Sequence, residues 1–263
     1  MAFNSLPFLF FFLLVFTGYW TLKSNRQRNV LLVLASYFFY GWWDWRFLGL
    51  IFISTLTDYC CGLFLHQQQS QRVKKRALWV SIGINIGLLI TFKYLNFFID
   101  SANELMLSLG FTSQLQSLNI LLPIGISFYT FQTLSYTLDL YRKTLKEPSR
   151  DFLAFSAYVC FFPQLVAGPI EKAQHLLPQF RQKKSFDTSL ALQGFNQICW
   201  GFLKKLVIAD NAGVLCNQLF EQGSDQNPFA LLLAGVFFAF QMYGDIAGYT
   251  DIAIGLGKLF GFQ

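Results

Sequence analysis

Residues 30–65, VLLVLASYFFYGWWDWRFLGLIFISTLTDYCCGLFL, decide what kind of molecule this chain is. As a single helix the stretch would run roughly 54 Å, far beyond a hydrocarbon layer of about 30 Å. Gly41, Asp44 and Arg46 stand near its middle among Trp42, Trp43 and Trp45. The pattern predicts two membrane helices, 30–46 and 47–65, joined by a tight turn at the water interface, where tryptophan is enriched.

Further apolar blocks lie on either side, at 3–22, 77–99, 118–138, 152–170, 190–208 and 229–255. The composition agrees: 54% of the 263 residues are hydrophobic, 19% aromatic and only 13% charged, against about 25% charged in soluble domains. The mean hydropathy is +0.42. A water-soluble globule so poor in charge could hardly cover its surface. Because lipid offers nothing to bond an open backbone group, the blocks must be helices. The fold class expected is all-α, a polytopic membrane protein forming one transmembrane domain over 1–263. The first block has no basic residue before it and no small-residue cleavage site after it, so it reads as a retained helix rather than a secretory signal.

Basic residues in short loops mark the cytoplasmic side. Lys23, Arg26 and Arg28, then Arg72, Lys74, Lys75 and Arg76, fall on one face if the first three helices alternate. Asp100 and Glu104 are read as part of an opposite loop after the fourth block, and Arg142, Lys143, Lys146 and Arg150 return to the basic face. Residues 172–184 are basic as well, with one apolar block between. That block, 152–170, is therefore read as re-entrant. Its FFPQLVAGPI stretch, 161–170, carries Pro163, Gln164, Gly168 and Pro169, which break a helix. Such backbone is tolerated at depth only where protein or a polar cavity meets it. The seventh block would then cross to a loop with Glu221 and Asp225, and the eighth cross back. The amino terminus is expected on the periplasmic side of a bacterial inner membrane. The net charge of +6 belongs to the loops, so no nucleic-acid partner is needed.

Polar residues inside apolar blocks are costly and usually face a cavity or another helix. Gln132, Tyr136 and Asp139 share one helical face, either as a wall of a polar cavity or as a packing contact. Asn196, Trp200 and Lys204 share another, with Lys204 and Lys205 read as snorkelling to headgroups. Over residues 241–255, QMYGDIAGYTDIAIG, Gly244, Gly248, Asp251 and Gly255 form a small-residue face suited to close helix approach. Gln241, Asp245 and Tyr249 form a polar face beside it. The five cysteines include no Cys-x-x-Cys pair and are read as small buried hydrophobes; no metal and no bound cofactor are expected. Of the two histidines, His66 sits at a basic cytoplasmic boundary and His175 in the loop beyond the re-entrant block.

The segments YFFYGWW (37–43), LPIGISFYTFQ (122–132), FFPQLVAGPI (161–170), WGFLKKLVIAD (200–210) and GYTDIAIG (248–255) resemble the membrane-bound O-acyltransferase family. They are most similar to its bacterial alginate O-acetylase branch, which resembles the D-alanyl transfer protein of teichoic acid synthesis. The resemblance implies a funnel-like ring of helices around a thin partition, with a histidine in a tunnel joining the two membrane faces. It implies O-acetyl transfer to an exported polysaccharide such as alginate, an acetyl-CoA-like donor, surrounding membrane lipid, and periplasmic or membrane acyl-transfer partner proteins. By resemblance Pro163, Gln164, Gly168 and Pro169 belong to the cytoplasmic funnel, and Gln132, Tyr136, Asp245, Tyr249 and Asp251 are candidate supports near the tunnel. None is a carried-over catalytic residue. Family members continue into a Trp-Arg-x-Trp-His region bearing the active histidine, whereas this sequence ends at Gln263, so these residues alone are expected to be inactive. A noncatalytic scaffold for an acyl-transfer complex and a small transporter are the alternatives.

Overall fold

The computed structural model describes residues 1, 3–110, 116, 118, 121–166, 168–222 and 228–263, without the Gln222 side chain. Asp225, Ala167 and residues 119–120 of the fifth apolar block lie outside the described residues. The described residues form helices and connecting turns with no strand. Three helical spans are long and apolar enough to cross a membrane: Asn25–Gln67, Gln71–Ser108 and Pro228–Leu259. The chain is all-α, with several long apolar helices that mark it as a polytopic membrane protein.

Helix α1, Leu6–Thr21, starts where the Ser5 hydroxyl accepts the Phe8 N–H. α2, Asn25–Asp44, stops because Asp44 is extended at φ −160°, and its carboxylate accepts the Arg46 N–H. A three-residue 3₁₀ turn, Trp45–Phe47, leads into α3, Leu48–Gln67. α4, Gln71–Leu89, continues through a π turn, Ile90–Tyr94, into α5, Leu95–Ser108. Asp100 and Glu104 belong to α5 rather than to a loop, because no proline or glycine interrupts residues 90–108. At 1.5 Å per residue the continuous helix is roughly 57 Å long, so its end reaches past the hydrocarbon.

α6, Ile126–Tyr141, begins well after residue 118, since Pro123 and a left-handed Gly125 (φ 75°) precede it. α7, Phe152–Cys160, is capped by Asp151, which accepts the Leu153 and Ala154 N–H groups. The backbone leaves the helix at Phe161 and passes through a turn to a short α8, Ala173–Leu176. α9, Thr188–Phe202, runs through a second π turn, Leu203–Ala209, into α10, Asp210–Gln222. Glu221 therefore ends a helix rather than lying in a loop. α11, Pro228–Leu259, closes the chain.

The core gathers where α1, α2, α7 and the last residues meet. The Phe162 ring lies 5.3 Å from Phe11, 5.8 Å from Phe39 and 5.9 Å from Phe260, centroid to centroid. Such pairs contribute about 0.5–1.5 kcal/mol beyond simple burial. Outer faces are the reverse: Leu14 and Leu232 are 71% and 70% exposed, as lipid-facing side chains are. Cys60 and Cys199 also lie on these outward faces, a departure from the buried reading, while Cys160 and Cys216 are buried. The basic end is tied by hydrogen bonds. Arg28 donates to the Leu22 and Lys184 carbonyls, Asn25 and Asn29 donate to the Phe180 carbonyl, and Trp20 donates to the Leu259 carbonyl. Partial burial beside the Phe262 ring pushes the Lys184 ammonium below the ordinary lysine range.

Candidate functional site

The turn after α7 is the first part of the site. A helix end leaves carbonyls without intrahelical donors, and here two side chains supply them. Gln132 Nε2 and Gln164 Nε2 donate to the Tyr158 carbonyl at 2.9 and 3.1 Å. The Ser36 hydroxyl accepts the Phe162 N–H at 3.0 Å. Two glycines are required by contact. A Cβ on Gly168 would lie 2.4 Å from Gln164 Cα, and one on left-handed Gly125 would lie 2.6 Å from the Leu165 carbonyl oxygen. Gly125 of the LPIGISFY segment thus seats directly on the backbone of the FFPQLVAGPI segment. The turn itself is enclosed by protein: Phe162 and Leu165 are buried.

Tyr136, on the same α6 face as Gln132, is fully buried against the Phe155 ring, and its hydroxyl accepts the Ser149 N–H at 3.0 Å. Both Gln132 and Tyr136 spend their polar atoms on backbone groups. Gln164, which bonds the Tyr158 carbonyl as well, and Pro169 border a small recess of about 60 Å³ shared with Gly257.

The second part is the seam between α11 and the α9–α10 helix. Gly244 abuts the Lys204 carbonyl, Gly248 faces Gly201, and Gly255 faces Gly194. Three polar links run across this close contact, and a fourth ties Lys205 to Asp210 of its own helix. Lys204 Nζ pairs with Asp251 at 2.5 Å, and Gln197 donates to the same carboxylate at 3.1 Å. Lys205 Nζ pairs with Asp245 at 2.6 Å and with Asp210 at 2.7 Å. The snorkelling reading of Lys204 and Lys205 is therefore corrected. The π turn aims consecutive lysines at the facing helix, where carboxylates that would otherwise stand uncompensated in a membrane satisfy them.

The two parts meet at a cavity of about 380 Å³ with largely apolar walls, including Phe3, Tyr40, Trp43, Val166 of the turn, Lys205 and Tyr249. Tyr249 stacks on Phe3 at 4.6 Å, Tyr40 donates to the Ile124 carbonyl, and the nearby Tyr129 hydroxyl is buried without a hydrogen-bond partner among the described residues. Of the residues singled out from sequence, Tyr249 reaches this cavity directly and Asp245 does so through Lys205. Asp251 sits in the seam, and Pro163 and Gly168 shape the turn. Neither His66 nor His175 lines the cavity. An apolar pocket with a few converging polar groups is the usual form of a small-molecule site.

A third constellation escaped the sequence reading. Asp58 of α3 is completely buried and accepts hydrogen bonds from Ser81 Oγ, from Asn85 Nδ2 at 2.7 Å and from Thr137 Oγ1 at 2.8 Å. Ser54 donates to Asn85 Oδ1 at 2.6 Å, and Thr133 lies in the same network. The available signal was three polar pairs spaced by four, 54/58, 81/85 and 133/137, in three apolar helices.

No family model matches the chain. Among curated proteins, it is 39% identical over 267 residues to the probable alginate O-acetylase AlgI of Pseudomonas putida, covering all of this chain and 54% of that protein. It is 32% identical to a peptidoglycan O-acetyltransferase of Helicobacter pylori, again along its whole length and 55% of the relative. A teichoic acid D-alanyltransferase of Streptococcus thermophilus matches at 29% over 53% of this chain. The chain thus spans about half the length of the curated relatives that it matches throughout. Along its whole length the chain is thus similar to the alginate O-acetylases, the branch of the membrane-bound O-acyltransferases that its sequence segments resemble.

Proposed function

We propose that the protein containing this chain is a membrane O-acyltransferase that acetylates hydroxyls of an exported polysaccharide such as alginate. The observation that carries the reading is similarity along the whole chain to an alginate O-acetylase and a peptidoglycan O-acetyltransferase. In this reading the 263 residues supply scaffold and substrate bed, and a histidine from the rest of the protein supplies the base. That histidine takes the hydroxyl proton as the sugar oxygen attacks the acetyl carbonyl and the donor thiol or alcohol leaves, a role worth roughly 10²–10⁴-fold in rate. Acetyl-CoA is the proposed donor, and acyl-transfer proteins of the membrane or periplasm are the proposed partners.

The topology proposed places the amino terminus on the periplasmic face and the basic ends of α2, α4 and α6 in the cytoplasm. In this topology α7 and its turn are re-entrant from the cytoplasm. The support is that Arg150 before α7 and Lys172 after the turn are both basic boundary residues, and that the non-helical turn between them is enclosed. The helices then form a funnel wall around the turn.

The test is acetyl transfer in inverted membrane vesicles containing the complete gene product, loaded inside with the strain's own polysaccharide and supplied outside with acetyl-labelled acetyl-CoA. Label should reach alkali-labile esters on the polysaccharide. Vesicles in which the same partners assemble but no label transfers would favour a noncatalytic scaffold, a reading supported by the lack of a histidine on the 380 Å³ cavity among the described residues.

A further inference from the structure

The basic ends of α3, α4 and α6 enclose a recess of about 300 Å³ lined by His66, Lys74, Lys143 and Lys146 together with leucines that include Leu65 and Leu140. We propose that this recess binds a phosphate-bearing anion, specifically the multiply charged headgroup of an acidic phospholipid in the leaflet at that face. It shares no lining residue with the cavity at Tyr249 and Lys205.

Charge is the first argument. Lys74 from the start of α4 and Lys143 and Lys146 from the turn after α6 converge on one recess, and among the described residues none of them is in an ion pair. Lys204 and Lys205, by contrast, each find carboxylates. Like charges gathered without an ion-pair partner repel, so the arrangement calls for an external anion.

The backbone is the second. Helix α6 ends in a cap in which the Asp139 carbonyl accepts the Thr144 and Leu145 N–H groups at 2.9 and 3.1 Å. The left-handed residue of that cap, the position usually given to glycine, is Lys143 at φ 61°. This turn folds Lys143 and Lys146 back under the start of α4.

Depth and size identify the anion. Trp79 and Phe64, 62% and 42% exposed, stand on the helix surfaces, and Trp79 lies roughly 7.5 Å along α4 from Lys74. The lysines are therefore at headgroup level with lipid-facing aromatics below, and leucines wall the recess where acyl chains would begin. A volume of about 300 Å³ is at the small end of ligand sites; it fits a phosphorylated headgroup and not a whole nucleotide cofactor. Basic pockets between helix ends on the cytoplasmic side are known to take such heads.

The experiment uses the purified complete protein in a zwitterionic detergent, with melting temperature followed on adding cardiolipin, phosphatidylcholine or inorganic pyrophosphate. Cardiolipin should raise the melting temperature saturably and phosphatidylcholine should not. The K74Q/K143Q/K146Q variant should bind cardiolipin at least about tenfold more weakly, whereas a control losing as many charges from the same face, K23Q/R26Q/K183Q, should stay within about twofold of the parent. K143G separates binding from folding, since glycine suits the left-handed turn: it should melt no lower than the parent without lipid yet show a reduced cardiolipin effect. Stabilisation by pyrophosphate with none by cardiolipin would keep the anion site and assign it a soluble source. Equal loss in the triple variant and the control, or no loss in either, would overturn the proposal.

Discussion

Replacing Asp58 with alanine lowers the unfolding free energy of the protein in detergent micelles by about 3 kcal/mol, as judged from three donor groups losing a shared carboxylate. In water-soluble proteins each bond to a charged acceptor is worth about 1.5–3 kcal/mol, but interhelical bonds in membranes average nearer 0.6 and reach about 1.7 kcal/mol. The Ser81 and Thr137 hydroxyls can also turn back to carbonyls one turn earlier in their own helices, which trims the loss. Asn85 still bonds the Ser81 carbonyl but loses the carboxylate at 2.7 Å. Asp58→Asn should cost less, since its oxygen can still accept from Ser81 and Thr137 while its amide faces that of Asn85, donor against donor. Reversible unfolding with an anionic detergent measures both. A loss below about 0.5 kcal/mol in Asp58→Ala would mean that the network does not hold α3, α4 and α6 together.

Gly201→Ala is expected to destabilise by about 2–3 kcal/mol, at the upper end for overpacking. Its Cβ would fall 2.6 Å from the Gly248 carbonyl oxygen, and a Cβ on Gly248 would fall 2.8 Å from that of Gly201. Both obstacles are backbone, so relief requires α9 and α11 to separate, and separation stretches the Lys204–Asp251 and Lys205–Asp245 pairs. Gly235→Ala in α11 is the internal control, because nothing lies within 4 Å of the added carbon. There alanine should stabilise by up to about 1 kcal/mol through helix propensity. The same chemical change with opposite signs at the two sites isolates close approach from propensity. Equal effects at both would refute the tight seam.

The all-α membrane class was legible because composition and block length bear directly on it. The glycine face at Gly244, Gly248 and Gly255 was legible too, since a helical period places those residues together. What could not be read was whatever depends on a second helix. Asp245, Asp251, Lys204 and Lys205 were each visible, yet their pairing follows from a π turn that leaves no mark in residue periodicity. Asp58 lay hidden in an apolar run because one carboxylate means little until Ser81, Asn85 and Thr137 arrive from two other helices. Boundaries failed where apolarity was counted without regard to backbone. Residues before Ile126 were read as helix despite Pro123 and Gly125, and Asp100 and Glu104 were read as loop although nothing there breaks a helix.

The most direct measurement is the O-acetyl content of exported polysaccharide in a strain lacking the gene, complemented either with the complete coding sequence or with only the codons for these 263 residues. The acyltransferase account predicts loss of ester on deletion, recovery with the complete sequence and no recovery with the 263 codons. An O-acetyl content unchanged by deletion would contradict it.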